Sequence, residues 1–160
     1  MKTGIIIIFH NYAEEIDTDF FRDYVNKGQD LEICLVNNNS DDNTYELLKE
    51  ISEKCNNVSV LNINKFRTDI SAIRAGVRYL VNQFNLREIG YINTDVLMSN
   101  QNELNKVLKI LIDEQDAILI HKNQVSQQKK IKQTIFQSVF SLLECIEGFN
   151  NQRCILNYQD

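Results

Sequence analysis

The 160-residue chain contains no proline, unusual for a protein with loops, and nothing about function follows from that. Other absences exclude more. No basic surplus exists: the net charge is -5 and the pI about 5.1, so no positive field attracts nucleic acid phosphates. No run approaches the roughly 20 apolar residues that a membrane span needs. Lys2 precedes only a five-residue apolar run, residues 5–9, so no secretory leader is expected. The four cysteines, Cys34, Cys55, Cys145 and Cys154, lie far apart without a C-x-x-C pair. They read as reduced thiols of a cytoplasmic protein, not as a disulfide or zinc framework. There is no G-x-G-x-x-G after a strand and no G-x-x-x-x-G-K-[ST], which removes the standard dinucleotide fingerprint and the P-loop. A phospho-receiver domain needs an acidic pair after its first strand and an aspartate after its third. Here those places hold His10-Asn11 and Asn64-Lys65.

What is present is an ordinary globular balance, 43% hydrophobic and 24% charged. Short, mostly β-branched apolar runs alternate with helical patterns. Residues 3–9 (TGIIIIF), 32–36 (EICLV), 58–63 (VSVLNI), 88–93 (EIGYIN) and 117–121 (AILIH) read as strands, the continuous ones buried on both faces. Between them, residues 17–26, 44–55, 69–84 and 101–115 read as helices. A longer final helix, about residues 125–148, carries Ile131, Ile135, Phe136, Val139, Phe140, Leu143 and Ile146 on one stripe. That stripe is core, or a surface for a homo-oligomer. Strand followed by helix, repeated, predicts parallel strands joined by right-handed crossovers in a three-layer α/β/α sandwich with a mostly parallel sheet. No repeat or linker divides it, so residues 1–160 read as one domain.

In such a sheet, ligands sit outside the carboxyl ends of the strands. Those ends are crowded with amides, carboxylates and a few cations. After the second strand the chain reads NNNSDDNT, just before a helical pattern begins. Such residues cap helix N-termini, and Asn tolerates left-handed turns, so a capping loop is one account of the stretch. Amides that bind a ligand are the other.

Four blocks together, IIIIFHNYAEE, LVNNNSDDNTYELL, NKFRTDISAIRAGV and YINTDVLMS, resemble the donor half of family 2 glycosyltransferases, which have the GT-A nucleotide-diphospho-sugar fold. The resemblance covers about residues 3–99. It implies a transferase that moves a sugar from a nucleotide-diphospho-sugar to an unknown acceptor. Asn11 falls on the asparagine of the family's first block. Asn37 and Asn38 fall where acidic or amide groups hydrogen-bond the base. Ser40, Asp42 and Thr44 match the turn into the helix, and Arg67 or Arg74 would lie near the diphosphate. Asp95 falls on the last carboxylate of the metal motif, which helps hold Mg²⁺ or Mn²⁺. A hard divalent ion accepts one or two protein carboxylates when phosphates and water complete its shell.

The chain also departs from the family pattern. Phe9 and His10 stand where a proline and an aromatic are usual, Asn37 replaces an aspartate, Asn93 replaces the first acid of the metal motif, and NKFRTD lacks a glycine. CIEGFNNQ, residues 145–152, faintly resembles the family's G-G-F-[DN]-E segment, which precedes the catalytic base. Glu144, Glu147 or a partner would then supply that base. These departures leave a second reading, a shortened, catalytically inactive relative that serves as a nucleotide-sugar-binding or protein-interaction module. Taken singly, other roles stay open for several residues. Asp95 also reads as a turn acid, His10 as a packing residue, and Arg67 and Arg74 as solvated or paired to Asp69. QQKKIK, residues 127–132, reads as a solvated helix start in preference to a lipid contact.

Overall fold

The computed structural model describes residues 1–97, 103–127 and 139–159. Five parallel strands form one sheet in the order β3-β2-β1-β4-β5: β1 Lys2–Phe9, β2 Leu31–Asn38, β3 Val58–Ile63, β4 Leu86–Asn93 and β5 Val139–Ser141. The two innermost runs are buried almost end to end, as strands covered on both faces must be. Alternation divides β1 between two cores. Ile5, Ile7 and Phe9 face one layer of helices, and Ile6 and Ile8 face the other.

The first layer contains α1 Thr18–Asp23, α2 Thr44–Lys54, α4 Glu103–Asp113, α5 Gln115–Gln127 and α6 Leu142–Gln159, which contribute Phe21, Leu48, Leu108, Ile118 and Leu142 to one core. The second layer is α3 Asp69–Gln83, which contributes Ala72, Val77 and Leu80. Gly76 lets α3 press on β1, since a Cβ there would stand 2.9 Å from Ile6 Cγ2. The three-layer α/β/α sandwich is therefore as expected, with every strand parallel. Among the described residues, no helix is long and apolar enough to cross a membrane.

The carboxyl-terminal third differs from the sequence expectation. Residues 117–121 are not a strand but part of α5, with Ile118 and Leu119 buried and Ile120 exposed. An apolar run of five fits a buried helix as well as a strand, and here α5 follows α4 almost without a break. The fifth strand is Val139–Ser141, inside the stretch expected to be one final helix. Gly90 explains the choice: it leaves β4 bare at one point, and the Phe140 ring fills the gap. A helix then runs from Leu142, with Leu142, Ile146 and Phe149 buried as core. Ile131, Ile135 and Phe136 of the expected stripe, and most of QQKKIK, lie outside the described residues. So do residues 98–102, the end of the fourth family-like block.

The expected uniform handedness also fails at this end. The described helices between β4 and β5 lie on the same layer as those between β1 and β2, yet the chain there moves the opposite way along the sheet. The two connections therefore have opposite hands, against the strong general preference for one.

Candidate functional site at the carboxyl edge of the sheet

The chain runs β1, β2, β3 outward, then returns over α3 to β4 on the other side of β1. The strand order thus reverses between β1 and β4, and in open α/β sheets a crevice at such a reversal receives ligands. The exits of β1, β2 and β4 carry most of the residues singled out in the sequence.

NNNSDDNT first serves as a fastener. Asn11, in the left-handed region at φ 48°, accepts the Asp41 N–H on Oδ1 (2.7 Å) and donates its own N–H to Ser40 Oγ (3.0 Å). Thr44 Oγ1 accepts the Tyr12 N–H (2.8 Å) and donates to Asp42 Oδ1 (2.5 Å). Asp42 also accepts the Thr44 and Ala13 N–H groups, at 3.0 and 3.2 Å. Burial alone would raise the Asp42 carboxyl, but these hydrogen bonds together hold it below the ordinary carboxylate range. The stretch is therefore only partly a helix cap: Asn43, at the cap position, makes no side-chain cap bond. Its main work is to staple the β2 exit to the β1 exit.

Asn37 and Asn38 are both buried, at 3% and 2% exposure, and alternation turns them to opposite faces of β2. Their carboxamides do not meet in one pocket. On the α3 face, Asn38 clamps the backbone of Arg67: Nδ2 donates to the Arg67 carbonyl (2.9 Å) and Oδ1 accepts the Arg67 N–H (3.0 Å). The Asn38 backbone carbonyl takes a third bond, from His10 Nδ1 (2.8 Å). A carbonyl only accepts, so the neutral His10 ring carries its proton on Nδ1. Nε2 is then an acceptor, 3.4 Å from Asn11 Nδ2. His10 meets Phe66 edge to face, with centroids 4.9 Å apart, and Phe66 is 53% exposed. Asn38 thus holds the Arg67 backbone with its side chain and the His10–Phe66 pair through its backbone carbonyl, at the same edge.

Arg67 and Arg74 are exposed, and neither makes an ion pair with a described residue, Asp69 included. Asp95 stands exposed in the 3-10 turn Thr94–Val96 that follows β4. Thr94 Oγ1 anchors this turn to the Ile8 carbonyl (2.8 Å), and Asn93 Oδ1 accepts the Asp95 N–H (3.0 Å). Asn93 therefore acts as a cap where the family pattern has an acid. Among the described residues no three His, Cys, Asp or Glu side chains gather as a metal cage. The donor set fits a hard ion held by one carboxylate, with the rest of its shell from phosphate and water.

Glu144 is exposed in the first turn of α6, which begins at this same edge beside β4, and Glu147 lies one turn further along. Residues 145–152, expected to resemble the family segment that precedes the catalytic base, are continuous helix. A cysteine nucleophile finds no support in Cys34, whose thiol is pushed up to about 12 by burial.

Sequence reasoning passed over two features. Phe66 is an exposed aromatic in the polar run NKFRTD, and that contrast was its signal. Asn62 and Asn64 became legible only through register, which sets Asn62 beside Asn37. A larger groove, of 680 Å³, opens at the amino edge between Lys27, Asp30, Arg87, Asp113 and Asp116. It contains none of the residues above and lies opposite the end where parallel strands receive ligands.

The family model described as Glycosyl transferase family 2 matches residues 4–156 of this chain. Among solved structures, the chain is similar to S. aureus TarS 1–349, with 16% identity over 72% of this chain and 33% of that one, at a TM-score of 0.44. It is also similar to the mannosyltransferase PcManGT from Pyrobaculum calidifontis in complex with GDP-Man and Mn²⁺, with 18% identity over 69% of this chain and 32% of that one, also at 0.44. The chain spans about a third of the length of either. None of the curated proteins matches.

Proposed function

The chain belongs to glycosyl transferase family 2, and from that membership we propose that it binds a nucleotide-diphospho-sugar at the carboxyl edge of its sheet and transfers the sugar to an acceptor hydroxyl. The observation that carries this reading is that Asn38 joins the Arg67 backbone and the His10 ring, with Phe66 against it, at the β2 exit, on the same carboxyl edge of the sheet as Asp95 after β4. A nucleobase is a flat π-system, and the exposed face of Phe66 with the His10 ring against it offers an aromatic surface to stack on. His10 Nε2 and the Asn11 amide supply hydrogen-bonding edges. Arg67 and Arg74 offer planar donors to the diphosphate, whose charge must be neutralised as it departs. Asp95 would hold Mg²⁺ or Mn²⁺, and that ion, when bound, supplies further neutralisation. Deprotonating the acceptor hydroxyl calls for a carboxylate base, and Glu144 is the exposed carboxylate that α6 brings to this edge.

A second reading has its own observation. Asn93 has become a backbone cap where the family's first acid belongs, which favours a module that binds the donor without turning it over. Thermal-shift titration with a panel of nucleotide-sugars, with and without Mn²⁺, tests both. Binding that depends on Mn²⁺ and disappears in Asp95→Ala is the expected result. Donor hydrolysis in the same mixtures selects the enzyme over the module. A flat response to every nucleotide refutes both.

A further inference from the structure

Two threonine side chains take over where the ladders of β1 stop. The β1–β4 ladder ends at the pair Ile8 and Asn93, and the β1–β2 ladder one residue further, at Phe9 and Asn37. Beyond the first, Thr94 Oγ1 donates to the Ile8 carbonyl (2.8 Å). Beyond the second, Thr44 Oγ1 accepts the Tyr12 N–H (2.8 Å). Both threonines are buried, at 1% and 0% exposure. The β1 exit, which carries His10 and Asn11, is thereby tied to a neighbour on either side.

The two ties differ in what else supports them. On the β2 side Asn11, Ser40 and Asp42 add hydrogen bonds of their own. On the β4 side the other bonds of the turn are internal: Asn93 Oδ1 accepts the Asp95 N–H (3.0 Å), and the Leu97 N–H donates to the Thr94 carbonyl (3.0 Å). These bonds set the shape of the turn. Among the described residues, the Thr94 hydroxyl alone bonds it to another strand. The β4 ladder carries the backbone only as far as Asn93, so past that point the Thr94 bond sets where the exposed Asp95 carboxylate stands. A hard ion such as Mg²⁺ holds each oxygen at about 2 Å, so a loosely placed carboxylate loses the ion before a diphosphate loses its other contacts. We propose that Thr94 is a positioning residue: its hydroxyl, held on the Ile8 carbonyl, fixes Asp95 relative to the β1 exit, so that a divalent cation and a nucleoside diphosphate at this edge reinforce one another's binding. The inference rests on the nucleotide-sugar reading of this edge and adds to it the side chain that couples the two ligands.

Calorimetric titration of the intact chain with uridine, guanosine, adenosine and cytidine diphosphates, each with and without Mn²⁺, tests it. In the parent, Mn²⁺ should tighten the preferred diphosphate by a factor of about 5–150, the usual span of coupling between two ligands. Thr94→Val keeps the shape of the side chain and removes its hydroxyl. It should bring that factor close to one while the affinity without Mn²⁺ stays as in the parent. Thr94→Ser, which keeps the hydroxyl, should retain most of the coupling. Thr94→Ala, which leaves room for water at the Ile8 carbonyl, carries the same expectation as valine and replaces it if the valine variant does not fold. Coupling that survives removal of the hydroxyl overturns the inference and leaves the nucleotide reading standing. So does an equal loss of affinity with and without Mn²⁺, a serine variant no better than valine, or a parent whose diphosphate affinity ignores Mn²⁺. A parent that binds none of the four diphosphates overturns the nucleotide reading itself, and the inference falls with it.

Discussion

Removal of the Asn38 side chain is the sharpest perturbation of the proposed donor edge, because Asn38 faces no solvent and its side chain bonds only the Arg67 backbone. Asn38→Ala breaks two hydrogen bonds of 2.9 and 3.0 Å to one peptide unit. At about 1 kcal/mol net for each, the loss is about 2 kcal/mol, held near that figure because water can reach the freed Arg67 backbone. For a chain of this length that corresponds to a fall in Tm of roughly 4–8 °C. Urea denaturation of the parent and the variant measures it. Asn38→Asp keeps an acceptor for the Arg67 N–H but turns a carboxylate oxygen toward the Arg67 carbonyl, so it should be no more stable than the alanine variant. The functional part is a double-mutant cycle. If Asn38 acts on the nucleotide-sugar by positioning Arg67, its removal should weaken binding in the parent and do little in an Arg67→Ala background. Full additivity of the two losses, or an Asn38→Ala variant within about 0.5 kcal/mol of the parent, the range of an ordinary surface change, refutes the reasoning.

Two further predictions concern the fold around the site. Gly90→Ala places a Cβ 2.8 Å from the Phe140 ring, so it should cost about 1–3 kcal/mol by overpacking, and Phe140→Leu should recover part of that loss in the double variant; equal losses in both backgrounds contradict the docking of β5 on β4. The folded-state pKa of Asp42 is depressed, so its contribution is fully present above the unfolded value near 3.8 and lost as pH falls through the lower folded value. Asp42→Asn should therefore be less stable than the parent at neutral pH, with a deficit that shrinks below about pH 4, as read by denaturant titrations across pH.

The amino-terminal two-thirds of the fold was legible because its signals agree. Residues 3–9 and 32–36 are too apolar and β-branched for anything but doubly covered strands, and the helices after them keep a clear period. Residues 117–121 carry no such agreement. Five apolar residues suit either period, and what decided was remote: Gly90 on β4 accepts Phe140, which sequence alone does not pair with it. The candidate site was legible as a set of strand ends but not as contacts. Adjacent Asn37 and Asn38 look interchangeable in the sequence, yet the twofold period of β2 gives Asn38 to the Arg67 backbone and Asn37 to the side chain of Asn62. Ser40, Asp42 and Thr44 were legible as the turn into a helix, and Asn11 only through the family resemblance. Their partners lie across two loops about 30 residues apart, a distance that no local pattern encodes.

The central claim, a donor site at the carboxyl edge, is tested most directly by locating a bound nucleotide on the chain. Amide resonances should be followed while the nucleotide-sugar that gives the largest thermal shift is added together with Mn²⁺. The account predicts saturable changes at His10, Asn38, Phe66, Arg67 and Asp95. Changes confined to the groove at the opposite edge, around Lys27, Arg87 and Asp116, would contradict it.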